Sequence, residues 1–258
     1  MMKNDTGTFW EHLDELRSRI IKMLVVTSIL AVVAFILKKP LFDIVLAPSH
    51  SDFVSYRLLG IAPFKISLMN TGLTEQLMIH MKTALYCGLL LASPYVLYQL
   101  FGFITPALYD NEKHHAVKVV SAAYLMFLIG TAVNYFLIFP LTVRFLGTYQ
   151  VSTEVANMLT IQSYADTLIS MSLVIGVVFE LPVVSWLLAL LGILHWEVMA
   201  RYRKHAFVTI LIISAIITPT TDAFTLFVVA LPVWLLYEAS ILIVRMTRRQ
   251  DSSTPKTI

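Results

Sequence analysis

YQLFGFITPALYDNE, residues 98–112, lies between two long apolar runs and reads as the short connection between two membrane helices. Pro106 interrupts it, Tyr98, Phe101, Phe103 and Tyr109 crowd it, and its only charges, Asp110 and Glu112, sit at its far end. A connection in solvent is ordinarily richer in polar turn residues. So apolar a loop is expected to be one half of a cytoplasmic working face. The N-terminal EHLDELRSR, residues 11–19, is expected to be the other half.

The rest of the chain sets the class. Of 258 residues, 58% are hydrophobic and 14% charged, and the mean hydropathy is +0.77. Globular chains average about half apolar and about a quarter charged. Several runs approach the ~20 apolar residues that carry a helix across a bilayer. The fold class is therefore all-α, a polytopic membrane protein. The single cysteine, Cys87, falls within an apolar run, which excludes an intramolecular disulfide and a cysteine-based metal site. Glu11, Asp14, Glu15, Arg17 and Arg19 make the start too charged for a secretory signal, so the first span is expected to stay as a permanent helix.

Residues 4–19 read as an amphipathic helix, with Phe9, Leu13, Leu16 and Ile20 at helical spacing, expected to lie along the membrane surface. Glu15 and Arg19 stand four apart, a pairing of a few tenths of a kcal/mol on a helix. Six spans are expected, at about 20–37, 75–97, 115–139, 163–195, 205–218 and 223–244. Residues 1–248 then form one transmembrane domain, and 249–258 a disordered cytoplasmic tail. Roughly 13 Lys and Arg fall on the side of the termini and about 5 on the other. The positive-inside rule makes the first side cytoplasmic, giving N-in and C-in. The fifth and sixth spans read as short. The 14 residues of the fifth reach about 21 Å against a ~30 Å hydrocarbon core, whereas the fourth is long enough to tilt or kink. The expected architecture is a tilted bundle.

Few side chains stand out for chemistry. Glu180, in GVVFELPV, lies about 14 residues from Asp166 at the outer end of its span, so it falls deep in the hydrocarbon. A carboxylate there marks a functional or hydrated position, or else a protonated acid hydrogen-bonded to a neighbouring helix. Pro182 frees a backbone carbonyl beside it. Glu238 lies near the cytoplasmic edge, where it can snorkel or pair. Lys82, seven residues from Glu75, either bridges to it or snorkels outward. Asp222 is placed to cap the sixth span, and Asp110 and Glu112 to favour the dipole of the third. For Glu112, capping and partner binding are equally open. HExxH, GxSxG and Walker A patterns are missing, and His114-His115 have no ligand set at metal spacing, so the chain is expected not to be an enzyme. No cofactor, metal or nucleic-acid partner is expected.

Four blocks in order carry a family likeness. HLDELRSRI (His12–Ile20) resembles the HLxELRxRL opening of TatC, the multispanning receptor subunit of the twin-arginine protein translocase. ASPYVLYQLFGFITPALYDNEK (Ala92–Lys113) is similar to that family's loop signature. FELPV (179–183) and ITPTTDAFT (217–225) with ALPVWLLYE (230–238) resemble its later blocks. The resemblance implies a receptor and core scaffold that binds twin-arginine signal peptides and exports folded proteins across the cell inner membrane. The proton-motive force would drive it, with small TatA/TatB-type partners in a hetero-complex that also holds further copies of the chain. It points to Glu15, Arg17, Phe103 and Glu112 for the signal peptide, to Glu180 as the membrane acid, and to Pro48 and Asp222 as partner or structural positions. The PTTD turn (219–222) is one residue longer than the family's PPD form, and residues 110–118 are less basic than the pattern. The rival reading is an ion-coupled small-solute transporter with Glu180 as its proton site. An intramembrane hydrolase ranks last, because no nucleophile–base pair is visible.

Overall fold

The structure, a computed structural model, describes residues 5–64, 66–104, 116–150, 152, 158–218 and 222–251. Its long elements are helices: α1 (Asp5–Ile36), α2 (Lys38–Leu46), α4 (Glu75–Ile104), α5 (Ala116–Val133), α6 (Phe139–Thr148), α7 (Ile161–Val178), α8 (Leu181–Leu190), α10 (Arg203–Ile217) and α11 (Ala223–Asp251). Among the described residues there are also the short helices α3 (Val54–Leu58) and α9 (Trp196–Arg201), a 3-10 turn (Ala47–Ser49), a π turn (Asn134–Ile138) and two two-residue strands, β1 (Leu68–Met69) and β2 (Leu159–Thr160). Among the described residues, five segments are long and apolar enough to cross a membrane: Leu13–Ile36, Glu75–Phe103, Val119–Thr148, Ile161–Leu190 and Ala223–Thr247. The expected fifth span corresponds to α10, whose 15 residues rise only about 22 Å.

Several expected boundaries move. The N-terminal arm is not a separate surface helix but the first turns of α1, because no proline stands between Asp5 and Ile36 to end the helix. The loop at 98–112 begins later than expected. Residues 98–104 are the last turns of α4, and Pro94 lies inside that helix. The third span does not close at Pro140. A π-helical turn, Asn134–Ile138, with the Phe139 N–H donating to the Asn134 carbonyl, lies just before the proline, and α6 carries the helix on to Thr148. The fourth span is interrupted at Phe179–Glu180, just before Pro182, and helix ends at Leu190 rather than His195. Gly192, with φ of +70°, sits just past that end, in the left-handed region that glycine adopts at least cost. The sixth span is not short: its apolar segment has 25 residues, and α11 runs three residues into the expected tail. Residues 252–258 lie outside the described residues.

The chain divides into two compact units. One comprises Met1–Phe42 and His80–Tyr124. Within it, α1 and α4 approach closely at Gly88, where a Cβ would stand 2.5 Å from the Ala31 nitrogen. Ala34, Leu41 and Ala84 pack beside that crossing, with Cys87 against them. His80 stacks on Phe35 at 4.0 Å between ring centroids, and its Nε2 lies 3.0 Å from the Phe35 carbonyl at the end of α1.

The second unit comprises Asp43–Ile79 and Leu125–Ile258. Its core joins α6, α7, α10 and α11 through Phe139, Tyr164, Met171, Ile175, Ile210 and Val229. Gly130 and Gly176 leave room for the rings of Phe179 and Phe127. β1 and β2 pair in parallel, Leu68 with Leu159 and Met69 with Thr160. Glu75 ties the same two loops from the first turn of α4. Its Oε2 accepts the N–H groups of Thr71 and Gly72, each at 2.8 Å, and its Oε1 accepts the Gln162 N–H at 3.1 Å. Such charge-assisted bonds are the strong ones, which suits a residue only 6% exposed.

Candidate functional site

The first unit builds its candidate site where α1 begins and α4 ends. Glu15 and Arg19 face one way because four residues bring side chains to neighbouring positions on a helix. Arg19 Nη2 lies 2.7 Å and its Nε 3.0 Å from Glu15 Oε1. The same guanidinium reaches across to α4, where Nη1 donates to the Gln99 carbonyl at 3.2 Å and to Gln99 Oε1 at 3.3 Å. Gln99 Nε2 donates in turn to the Tyr95 hydroxyl at 2.8 Å. A glycine makes this approach possible: a Cβ at Gly102 would stand 2.6 Å from Arg19 Nη1. Arg17 is exposed on α1, and Phe101 and Phe103 are half-buried on the last turns of α4. Thus Glu15 and Phe103 belong to two helix ends joined by Arg19. Glu112, with Asp110 and Tyr109, lies outside the described residues.

Glu180 belongs to the second unit. It occupies the break between α7 and α8, and both carboxylate oxygens are buried without a hydrogen-bond partner among the described residues. Pro182 creates the break, since it has no N–H for the Val178 carbonyl. Glu238 pairs with Arg203 of α10 at 2.9 Å.

Pro48 and Asp222 have defined structural work. The carbonyls at the end of α2 have no partners within the helix, and three tyrosines supply donors to this stretch. Tyr135 donates to Ile44 at 2.7 Å, Tyr164 to Val45 at 2.9 Å, and Tyr56 to Pro48 at 2.8 Å. The Tyr56 hydroxyl also lies 3.0 Å from the Pro140 carbonyl, so one proton is shared between two proline carbonyls. Burial pushes the Tyr56 phenol well above its usual range. Asp222 Oδ1 accepts the Thr225 N–H at 2.7 Å and caps α11.

Sequence reading missed Arg19 as a bridge, Gln99 as its receiver, and the tyrosine set. Gly102 in an aromatic stretch was the available signal, because an isolated glycine in a helix often marks a close approach. No group of three His, Cys, Asp or Glu side chains placed to hold a metal occurs among the described residues.

The sequence pattern of the family described as Sec-independent protein translocase protein (TatC) matches residues 11–232. The chain belongs to the TatC family. It is 32% identical over 247 residues to the TatC of Aquifex aeolicus, covering 95% of this chain and 98% of that one. It is 35% identical over 234 residues to the TatC of Koribacter versatilis, covering 91% and 83%. TatCy of Bacillus subtilis is 30% identical over 249 residues, with 96% and 93% covered. Each carries the name Sec-independent protein translocase protein. A crystal structure of a twin-arginine translocase receptor, TatC, superposes with a TM-score of 0.77 at 33% identity, over 92% of this chain and 99% of that one. These likenesses make the chain a translocase component of the membrane and give no support to the solute-transporter reading.

Proposed function

We infer that this TatC-family chain is the signal-peptide receptor and core scaffold of a twin-arginine translocase, exporting folded proteins across the cell inner membrane with the proton-motive force. In this reading six spans form one transmembrane domain with both termini cytoplasmic, α10 being the short fifth span. TatA/TatB-type proteins and further copies of the chain complete the complex, and the chain itself catalyses no reaction. Glu15 and Glu112 receive the arginine pair of a signal peptide, Arg17 orients it, and Phe103 meets its apolar residues. Glu180 is the polar point within the membrane for a partner or proton.

The observation that carries this reading is the Arg19 bridge. It holds Glu15 of α1 to the aromatic end of α4, so an acid and an apolar surface are offered by one rigid pair of helix ends. Carboxylates bind guanidinium through charge-assisted bonds in a bidentate fork, and lysine cannot reproduce the fork. The test is site-specific photocrosslinking from positions 103 and 112 to a signal peptide carrying Arg-Arg, beside a Lys-Lys control. Strong crosslinks to Arg-Arg alone are expected. Equal crosslinking to both would overturn arginine-specific recognition.

A further inference from the structure

The end of the second unit formed by α9, the start of α10 and the last turns of α11 carries a cationic surface that the receptor reading does not use. Its floor is fixed. Met199, Ile241 and Val244 are buried together, and the Tyr237 hydroxyl donates to the Met199 carbonyl at 2.9 Å. Two cations are anchored on it: Arg203 by its pair with Glu238, and Arg245 by its seat 5.1 Å over the Trp196 ring. A guanidinium on an indole face keeps its edge donors available for an anion. Arg201 and Lys204, on either side of Tyr202, are exposed and have no ion pair among the described residues. Among the described side chains here, Arg201, Arg203, Lys204 and Arg245 stand beside the carboxylates Glu197 and Glu238.

Ile193, Val198 and Tyr202, neighbours of Arg201 and Lys204 along the chain, are exposed as well. Exposed apolar side chains interleaved with Arg and Lys match a boundary where headgroup phosphates meet acyl chains. A protein segment rich in acids would answer the charge but would leave those side chains in water. The spans bordering the surface, α8 and α11, bring it to the bilayer, where phosphate-bearing lipids are the most abundant anions.

We propose that Arg201, Lys204 and Arg245, on the Trp196 platform, form a binding surface for the headgroup of an anionic phospholipid. Arg201 and Lys204 approach the phosphate from the turn between α9 and α10, and Arg245 approaches it from α11. Tyr202 and Val198 lie along the first acyl carbons. The surface anchors this end of the molecule to anionic membrane whether or not a signal peptide is bound, so it stands apart from the receptor reading.

The experiment is native mass spectrometry of the purified full chain in detergent, titrated with phosphatidylglycerol or phosphatidylcholine of the same acyl chains. Phosphatidylglycerol is expected to be retained preferentially. R201Q/K204Q, which alters only exposed side chains, is expected to lose that retention by on the order of tenfold, whereas K38Q/K39Q is expected to keep it. Equal retention of the two lipids would overturn the proposal, and so would unchanged retention by R201Q/K204Q. An equal loss in K38Q/K39Q would show bulk charge rather than a site. Complete displacement by inorganic phosphate would reveal a plain anion site, and capture of an acidic peptide in place of lipid would reassign the surface to a protein.

Discussion

Arg19 serves two helices with one guanidinium, and only its contact with Glu15 could be weighed from spacing. The Glu15 pair is an ordinary helical one of about 0.3–0.5 kcal/mol. The bonds to Gln99 are partly buried and charge-assisted, which raises the contribution of the side chain. Arg19→Ala is expected to lower stability in detergent by about 1–3 kcal/mol, read by chemical unfolding. It should also weaken crosslinking from position 103 to a twin-arginine peptide. Arg19→Lys keeps the charge but cannot reach both partners in a fork, so an intermediate loss is expected. Tyr56→Phe isolates the effect of one hydroxyl shared by Pro48 and Pro140. A loss of about 1–3 kcal/mol is expected, since it leaves buried carbonyls short of a donor. Stability unchanged by Tyr56→Phe would show that water reaches those carbonyls.

Elements tell how far proline and glycine can be read. Pro40, Pro140 and Pro182 each mark a real irregularity: a helix restart at Lys38, a π turn, and the gap at Glu180. Proline removes one hydrogen bond, and in a membrane helix a local adjustment absorbs that loss, so helix continues where a stop would be read. Glycine is more reliable when a neighbour is close. At Gly88 the obstacle is the Ala31 backbone, which cannot swing aside as a flexible side chain can. Gly88→Val is expected to cost about 1–3 kcal/mol and to lower the yield of folded protein. The Glu75 clip was not legible in sequence, because its partners come from loops with no regular pattern. Glu75→Gln turns an all-acceptor group into one that also donates. The Gln162 and Gly72 amides should then exchange hydrogen at least several-fold faster, as measured by mass spectrometry.

At the scale of the whole molecule, composition and the length of the apolar runs indicated an all-α membrane protein, and four short blocks were enough to indicate its family. The number of spans is harder, because α10 is too short to be recognised by length and apolarity alone. If it spans, its 15 residues must meet a bilayer locally thinner than ~30 Å. The proposed orientation rests on Lys and Arg placement and has a direct check. In a cysteine-free background, Leu73→Cys should react with an impermeant maleimide in intact cells. Lys204→Cys should react only after permeabilisation, and the reverse pattern would invert the topology. Of the candidate site, residue choice was legible and the contact that joins its two helices was not. Glu15 and Phe103 were singled out through the family resemblance, whereas the Arg19–Gln99 bridge depends on a contact spanning eighty residues of sequence, which no local pattern encodes.

The π turn at Asn134–Ile138 has a consequence for how this chain tolerates change. A π turn holds one residue more than the α-helical turn it replaces. Deleting one residue there should restore regular helix without opening a gap, whereas deletion elsewhere in 116–148 would rotate everything downstream by about 100°. Across this region, one-residue length differences among homologous chains should therefore gather at 134–138. Deletion scanning would find its permissive window in that same place, in the middle of a membrane helix rather than in a loop.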